Sequence, residues 1–151
     1  EGSKEEVQSY FHGISPKARQ LIDLPKSWKR WATADREPIA QWSFGRVTLL
    51  GDAAHPTTQY LAQGACMAME DAVCLADSLS RYDSLETGLA TYKTRRVLRT
   101  ARVQLMSRAM GDHVYHPAGP HAALRDVLMK AKSQDQWLDT LEWLYGGNGL
   151  D

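Results

Sequence analysis

Gly51-Asp52-Ala53-Ala54-His55-Pro56, followed by a short polar loop and then Gln63-Gly64-Ala65, is the stretch whose residue types and spacing suit chemistry. Asp52 is an acceptor fit for a ligand hydroxyl such as a sugar alcohol. It follows Val47-Thr48-Leu49-Leu50, an apolar run that reads as a buried strand inside a parallel sheet. Sheets of that class place ligands beyond the carboxyl ends of their strands. Gly51 and the small Ala53 and Ala54 allow another group to approach the backbone. A helix predicted to start near Gly64 offers free N–H groups and the positive end of its dipole, which stabilise negative charge on a ligand. His55 has two readings, a base or a brace that hydrogen-bonds the loop, and the brace is the better one.

Other residues invite chemistry less strongly. His113, His116 and His121 share a loop, but no cysteine or carboxylate cluster accompanies them and prolines separate them, so no metal site is expected. Arg95, Arg96, Arg99 and Arg102 suit either phosphate or a salt-bridged helix face, and the second is favoured. Cys66 and Cys74 read as small core residues. On one helix they stand about 12 Å apart, too far for a disulfide, which favours a reduced, cytoplasmic setting. Trp137, Trp143 and Tyr145 read as subunit or domain packing.

The elements that must position these residues can be placed by pattern. Ser15-Pro16 opens a short helix over Lys17–Leu24, with a capping hydroxyl and proline at its first position. Lys29–Glu37 alternates weakly and is predicted as a strand ended by Pro38. From Ala65 the spacing becomes helical, and Ala65, Met69, Ala72, Ala76 and Leu79 form the predicted apolar face. A second long helix is predicted from Leu85 or Thr87 to Met110, with Leu89, Tyr92, Val103, Met106 and Met110 on one face and Gly111 as its cap. Shorter helices follow over Ala122–Lys132 and Gln134–Tyr145, the last ended by Gly146-Gly147-Asn148-Gly149. One buried strand and one weak strand cannot satisfy the edges of a sheet. The chain therefore reads as the mainly helical C-terminal part of an α/β protein.

Composition excludes several classes. The 151 residues are 43% hydrophobic and 24% charged, which is ordinary globular usage. Eighteen basic and eighteen acidic residues cancel, so a general grip on nucleic acid or on an anionic membrane is not expected. No apolar run approaches the roughly 20 residues that span a bilayer.

The Gly45-Arg46-Val47 lead-in, Gly51 to Pro56, the Gln63-Gly64 turn and Glu70-Asp71-Ala72 together resemble the second flavin-binding motif of the class A flavoprotein monooxygenases, the single-component FAD-dependent aromatic hydroxylases. The resemblance implies an α/β parent with a Rossmann-like FAD-binding domain and a substrate domain. On it, residues 1–45 end the substrate domain and include the return strand, 46–80 form the flavin-binding strand, loop and helix, and 81–151 form a C-terminal helical region. It further implies that Asp52 binds the ribityl chain of FAD, and that the N–H groups of Gly64 and Ala65 face the N1/O2 edge of the flavin ring, where the reduced form is negative. Pro56 lies against the flavin, and Thr57, Thr58, Gln59 and Tyr60 line the substrate. The family often carries proline where Gln59 stands, so this sequence puts an amide in the pocket, able to bind a phenol and help its deprotonation. The expected parent reaction is hydroxylation of a monohydroxybenzoate, 3-hydroxybenzoate to 2,5-dihydroxybenzoate, with NADH and O2. The Gly-x-Gly-x-x-Gly fingerprint is absent, so the isolated chain is expected to be inactive and to hold FAD poorly; the strand without neighbours and the apolar stripe of Trp137, Leu141 and Leu144 lead to the expectation of a homo-oligomer. Two alternatives stay open: a non-catalytic helical self-association module, and an FAD-dependent monooxygenase of another aromatic or polyketide substrate.

Overall fold

The structure, a computed structural model, describes residues 1–147. Asn148 and Gly149, expected to help end the last helix, lie outside them. The chain divides into two compact units, Glu1–Thr33 and Ala34–Asp151.

The first unit holds α1 (Lys4–Tyr10) and α2 (Pro16–Asp23). Each starts on a serine whose hydroxyl accepts a first-turn N–H: Ser3 from Glu6 and Ser15 from Ala18. The Gln8 amide donates to Asp23 at 2.6 Å and ties the two helices.

The second unit begins with an extended segment and a hairpin of β1 (Ser43–Phe44) and β2 (Val47–Thr48), antiparallel, with Phe44 opposite Val47. Two 3-10 turns, Gly51–Ala53 and Gln59–Leu61, lead into α3 (Gly64–Arg81). Then come α4 (Leu85–Met110), a π turn (Gly111–Tyr115), α5 (Gly119–Ala131) and α6 (Gln134–Tyr145). Ser84 caps α4, and Ser133 with Gln136 forms a capping box on α6. Trp42, Ala54, Cys74 and Tyr92 form one buried cluster, and Met67, Val103 and Leu144 another. The Tyr92 hydroxyl donates to the Leu49 carbonyl at 3.2 Å; burial, then the charge of Asp71, pushes its pKa up. Among the described residues no helix is long and apolar enough to cross a membrane.

Three expectations need correction. Lys29–Glu37 is not a strand; side chains from α4 occupy its later part instead. Arg108 pairs with Asp35 at 2.5 Å and also with Glu37, and the Gln104 amide donates to the Arg36 carbonyl at 3.1 Å. Val47-Thr48-Leu49-Leu50 is not a buried parallel strand: only Val47 and Thr48 pair, antiparallel to β1, and Val47 is 65% exposed. The predicted apolar face of α3 is the exposed one. Ala65, Met69, Ala72, Ala76 and Leu79 face outward, while Met67, Asp71, Cys74 and Ser78 are buried. Gly111 caps α4 as expected, though at a φ of −58° and not in a left-handed turn, and the chain runs on into the π turn.

Candidate cofactor and substrate site

Gly51 turns the chain at a φ of +58°, a value that strains any residue with a side chain. A Cβ there would also stand 3.3 Å from that of Ala68, so the turn lies against the start of α3. The turn is clamped from inside by Asp71. One carboxylate oxygen accepts the Gly51 N–H at 3.0 Å and His55 Nε2 at 2.5 Å, and the other accepts Arg96 Nε at 2.7 Å. An ionised carboxylate only accepts, so His55 carries its proton on Nε2. Asp71 and Arg96 are fully buried and His55 is 2% exposed. Burial alone would raise the Asp71 pKa; hydrogen bonds from His55, Arg96 and Gly51 outweigh it and hold the carboxyl below its usual range. Glu70 extends the network, meeting Arg96 at 2.7 Å and Arg99 through two bonds of 2.8 Å. His55 therefore braces the turn, and Arg95, Arg96 and Arg99 of the arginine row are ion-paired. Arg95 meets Asp77 at 2.6 Å, and the Arg102 guanidinium lies 4.1 Å from the centre of the Trp143 ring. With the interior of the turn so occupied, the Asp52 side chain stands on the exposed side.

Past the turn, one face of α4 follows the loop residue by residue. The Arg36 guanidinium donates to the Ala53 carbonyl and, at 3.0 Å, to that of Ala54. Gln104, 1% exposed, donates to the carbonyls of Arg36 and Pro56, both at 3.1 Å. The Ser107 and Thr58 hydroxyls lie 2.8 Å apart, and Ser107 Oγ is 2.7 Å from the Thr58 carbonyl. Gln59 is exposed, Thr57 half-buried, and the Tyr60 hydroxyl stands 2.7 Å from His116 Nε2. Ala62 then takes a left-handed φ of +53° before α3 begins. Replacing Gln104 with Leu is expected to remove its two bonds to the part-buried carbonyls of Arg36 and Pro56. The cost is about 1–3 kcal/mol, seen as a lower urea midpoint of the intact protein.

The first turn of α3 is open. Gln63 occupies the capping position but its side chain does not cap the helix, so the N–H groups of Gly64 and Ala65 keep their donors for another partner. Both cysteines are free. His113 and His121 meet edge to face at 5.4 Å, and no three potential ligands converge on a metal position among the described residues.

Sequence reasoning identified the turn, the loop and the helix start, placed Asp71 in the motif and Arg96 on a salt-bridged helix face without joining the two, and missed Arg36, Gln104 and Ser107 beneath the loop. The i, i+4, i+8, i+11 spacing from Arg96 through Thr100 and Gln104 to Ser107 was the available signal. These residues are polar, and a search for apolar periodicity passes over them.

A model of the FAD-binding domain family matches residues 4–107, more than half of the chain. The chain belongs to that family. It is 62% identical over 149 residues to 3-hydroxybenzoate 6-hydroxylase of Polaromonas naphthalenivorans, covering 98% of this chain and 37% of that one. It is 60% identical to 3-hydroxybenzoate 6-hydroxylase 2 of Aquipseudomonas alcaligenes, covering 98% of this chain and 46% of that one. The solved structure of a Klebsiella pneumoniae HpxO variant complexed with FAD superposes with a TM-score of 0.82 at 28% identity, over 95% of this chain and 39% of its own. The chain thus spans 37–46% of the length of these proteins. The fold is that of FAD-binding hydroxylases, here mostly helical with two short strands. The residues present fit the FAD expected of this family: a tight glycine turn at a left-handed φ, an exposed acidic side chain beside it, and a long helix whose first N–H groups are uncapped.

Proposed function

We propose that this chain supplies part of the flavin and substrate site of a monooxygenase that hydroxylates a monohydroxybenzoate, 3-hydroxybenzoate to 2,5-dihydroxybenzoate, with NADH and O2. The observation that supports this most directly is Asp52, exposed on a clamped turn that packs against the open start of α3. The similarity to two 3-hydroxybenzoate 6-hydroxylases supports the choice of substrate. In this reading residues 46–80 form the flavin-binding segment, residues 1–45 close the substrate domain, and 81–151 form the C-terminal helical region.

When bound, FAD takes a hydride from NADH and activates O2 for transfer to an aromatic ring. The protein's part is binding and electrostatics. Asp52 accepts a hydrogen bond from a ribityl hydroxyl. Pro56 packs against the cofactor. The N–H groups of Gly64 and Ala65, at the positive end of an 18-residue helix, favour negative charge on the group they face. Gln59 donates its amide N–H to the phenolic oxygen of the substrate. A bond to the charged form lowers a phenol's pKa and raises electron density on the ring. Thr57, Thr58 and Tyr60 complete the substrate side, with the Thr58 hydroxyl already tied to Ser107. Exposed Val47, Leu50, Met69, Val73 and Leu79 are covered by the rest of the intact protein, which assembles as a homo-oligomer in the cytoplasm.

Gln59→Leu tests the reading. Stopped-flow kinetics of the intact enzyme should show oxygen transfer slowed by about tenfold, the weight of one hydrogen bond to a developing charge. More hydrogen peroxide should be released, with flavin reduction by NADH little changed. Equal slowing of both half-reactions would mean general damage to the pocket and would remove Gln59 from this role.

A further inference from the structure

Tyr60 is held from three sides. Its hydroxyl bonds to His116 Nε2 at 2.7 Å, and the two rings meet edge to face at 5.3 Å. The Tyr115 ring lies tilted beside it at 5.4 Å. On the third side is buried Gly111, where a Cβ would stand 2.5 Å from Cε2 of the Tyr60 ring and 2.9 Å from Cδ2. The Gly111 φ of −58° is open to any residue, so glycine serves here for space and not for backbone freedom. Gly111 also opens the π turn, and the wider winding brings Tyr115 and His116 to the side where Tyr60 sits. Just before Tyr60, the Thr58–Ser107 bond anchors the same loop to the same face of α4.

We propose that Gly111 and His116 are positioning residues for the aromatic substrate. They seat the ring and the hydroxyl of Tyr60, and so fix the Gln59–Leu61 turn that presents Gln59. The proposal rests on the reading of Thr57–Tyr60 as the substrate side. With its hydroxyl engaged by His116, Tyr60 contributes through its place and not as a free donor. His116→Gln keeps a side-chain amide near the hydroxyl, whereas His116→Leu removes the partner. Gly111→Ala puts a methyl group where the ring lies.

The test uses the intact FAD-loaded protein. One measurement is hydrogen exchange of the amides in residues 57–62; the other is titration with 3-hydroxybenzoate followed by flavin absorbance. His116→Leu should speed exchange in that loop and weaken 3-hydroxybenzoate binding by about tenfold, the worth of one hydrogen bond. The FAD dissociation constant should stay the same. Gly111→Ala should act in the same direction and more strongly, while His116→Gln restores most of the binding. Unchanged exchange and unchanged binding in His116→Leu would overturn the proposal. So would a parallel loss of FAD, since that marks general unfolding. If the unsubstituted protein shows no response to 3-hydroxybenzoate while His116→Leu still speeds exchange, the seat stands and the substrate reading fails.

Discussion

Replacing Arg96 with Met is expected to cost the intact protein about 3–5 kcal/mol of stability, the usual penalty for removing one partner of a buried ion pair. Arg96 and Asp71 are both fully buried at 2.7 Å, and Arg96 also meets Glu70. The methionine fills the space but removes the guanidinium that neutralises Asp71, which keeps its bonds from His55 and the Gly51 N–H. A urea melt followed by tryptophan fluorescence reads the loss, since Trp42 lies 5.6 Å from the His55 ring. A midpoint equal to that of the parent would contradict it. Adding Asp71→Leu should recover part of the loss, because an apolar pair of similar volume avoids the cost of burying an unpaired charge. The pH dependence has a definite sign. Burial opposes ionisation of both Asp71 and Glu70, yet their partners win and both pKa values are lowered. Their stabilising effect is complete above the ordinary carboxylate range and is lost as pH falls through the lowered folded values. In Arg96→Met those values rise, so acid unfolding should begin at a higher pH.

Asp52→Ala is expected to weaken FAD binding by about tenfold or more, from the roughly 1.5–3 kcal/mol of a hydrogen bond to a charged group. The turn that carries Asp52 is held by Asp71 through Gly51 and His55, and not by Asp52, which is exposed. The substitution should therefore leave the urea midpoint of the apoprotein within about 0.5 kcal/mol. Flavin fluorescence quenching on titration measures the affinity. An unchanged dissociation constant would remove Asp52 from the cofactor site. Asp52→Asn, which keeps an acceptor without the charge, should fall between the two.

The helices were legible because local signals mark them. Ser15-Pro16, the Gln134–Tyr145 periodicity and the Leu85 start all match the observed elements. The flavin-like turn was legible because Gly51 sits where the backbone takes a φ of +58° and Asp52 and Gly64 stand at the motif's spacing from it. The orientation of α3 was not. Its small apolar residues suggested a core face, but what it packs on here is α4, and it does so through Met67, Asp71, Cys74 and Ser78. A helix with two candidate faces cannot be oriented from its own sequence when the deciding contacts include an ion pair to a residue 25 positions away. The strand over Lys29–Glu37 failed for a related reason. Its polar groups are taken by Gln104 and Arg108, and no local pattern announces side-chain partners on a distant helix.

The face of α4 that carries Arg96, Gln104, Ser107 and Gly111 follows the loop from Gly51 to Tyr60 in the same order. This sets the unit in which the molecule can be recombined. A crossover between two related enzymes placed after Tyr60 and before Arg96 would join a loop from one parent to its support from the other. Each mismatched position would then orphan a carbonyl, a carboxylate or an aromatic ring. Crossovers upstream of Ala34, where the chain divides into its two units, keep loop and helix together. Transplanting the Gly51–Tyr60 loop into another scaffold therefore means transplanting its helix as well, from the extended segment at Asp35 through the histidine at 116.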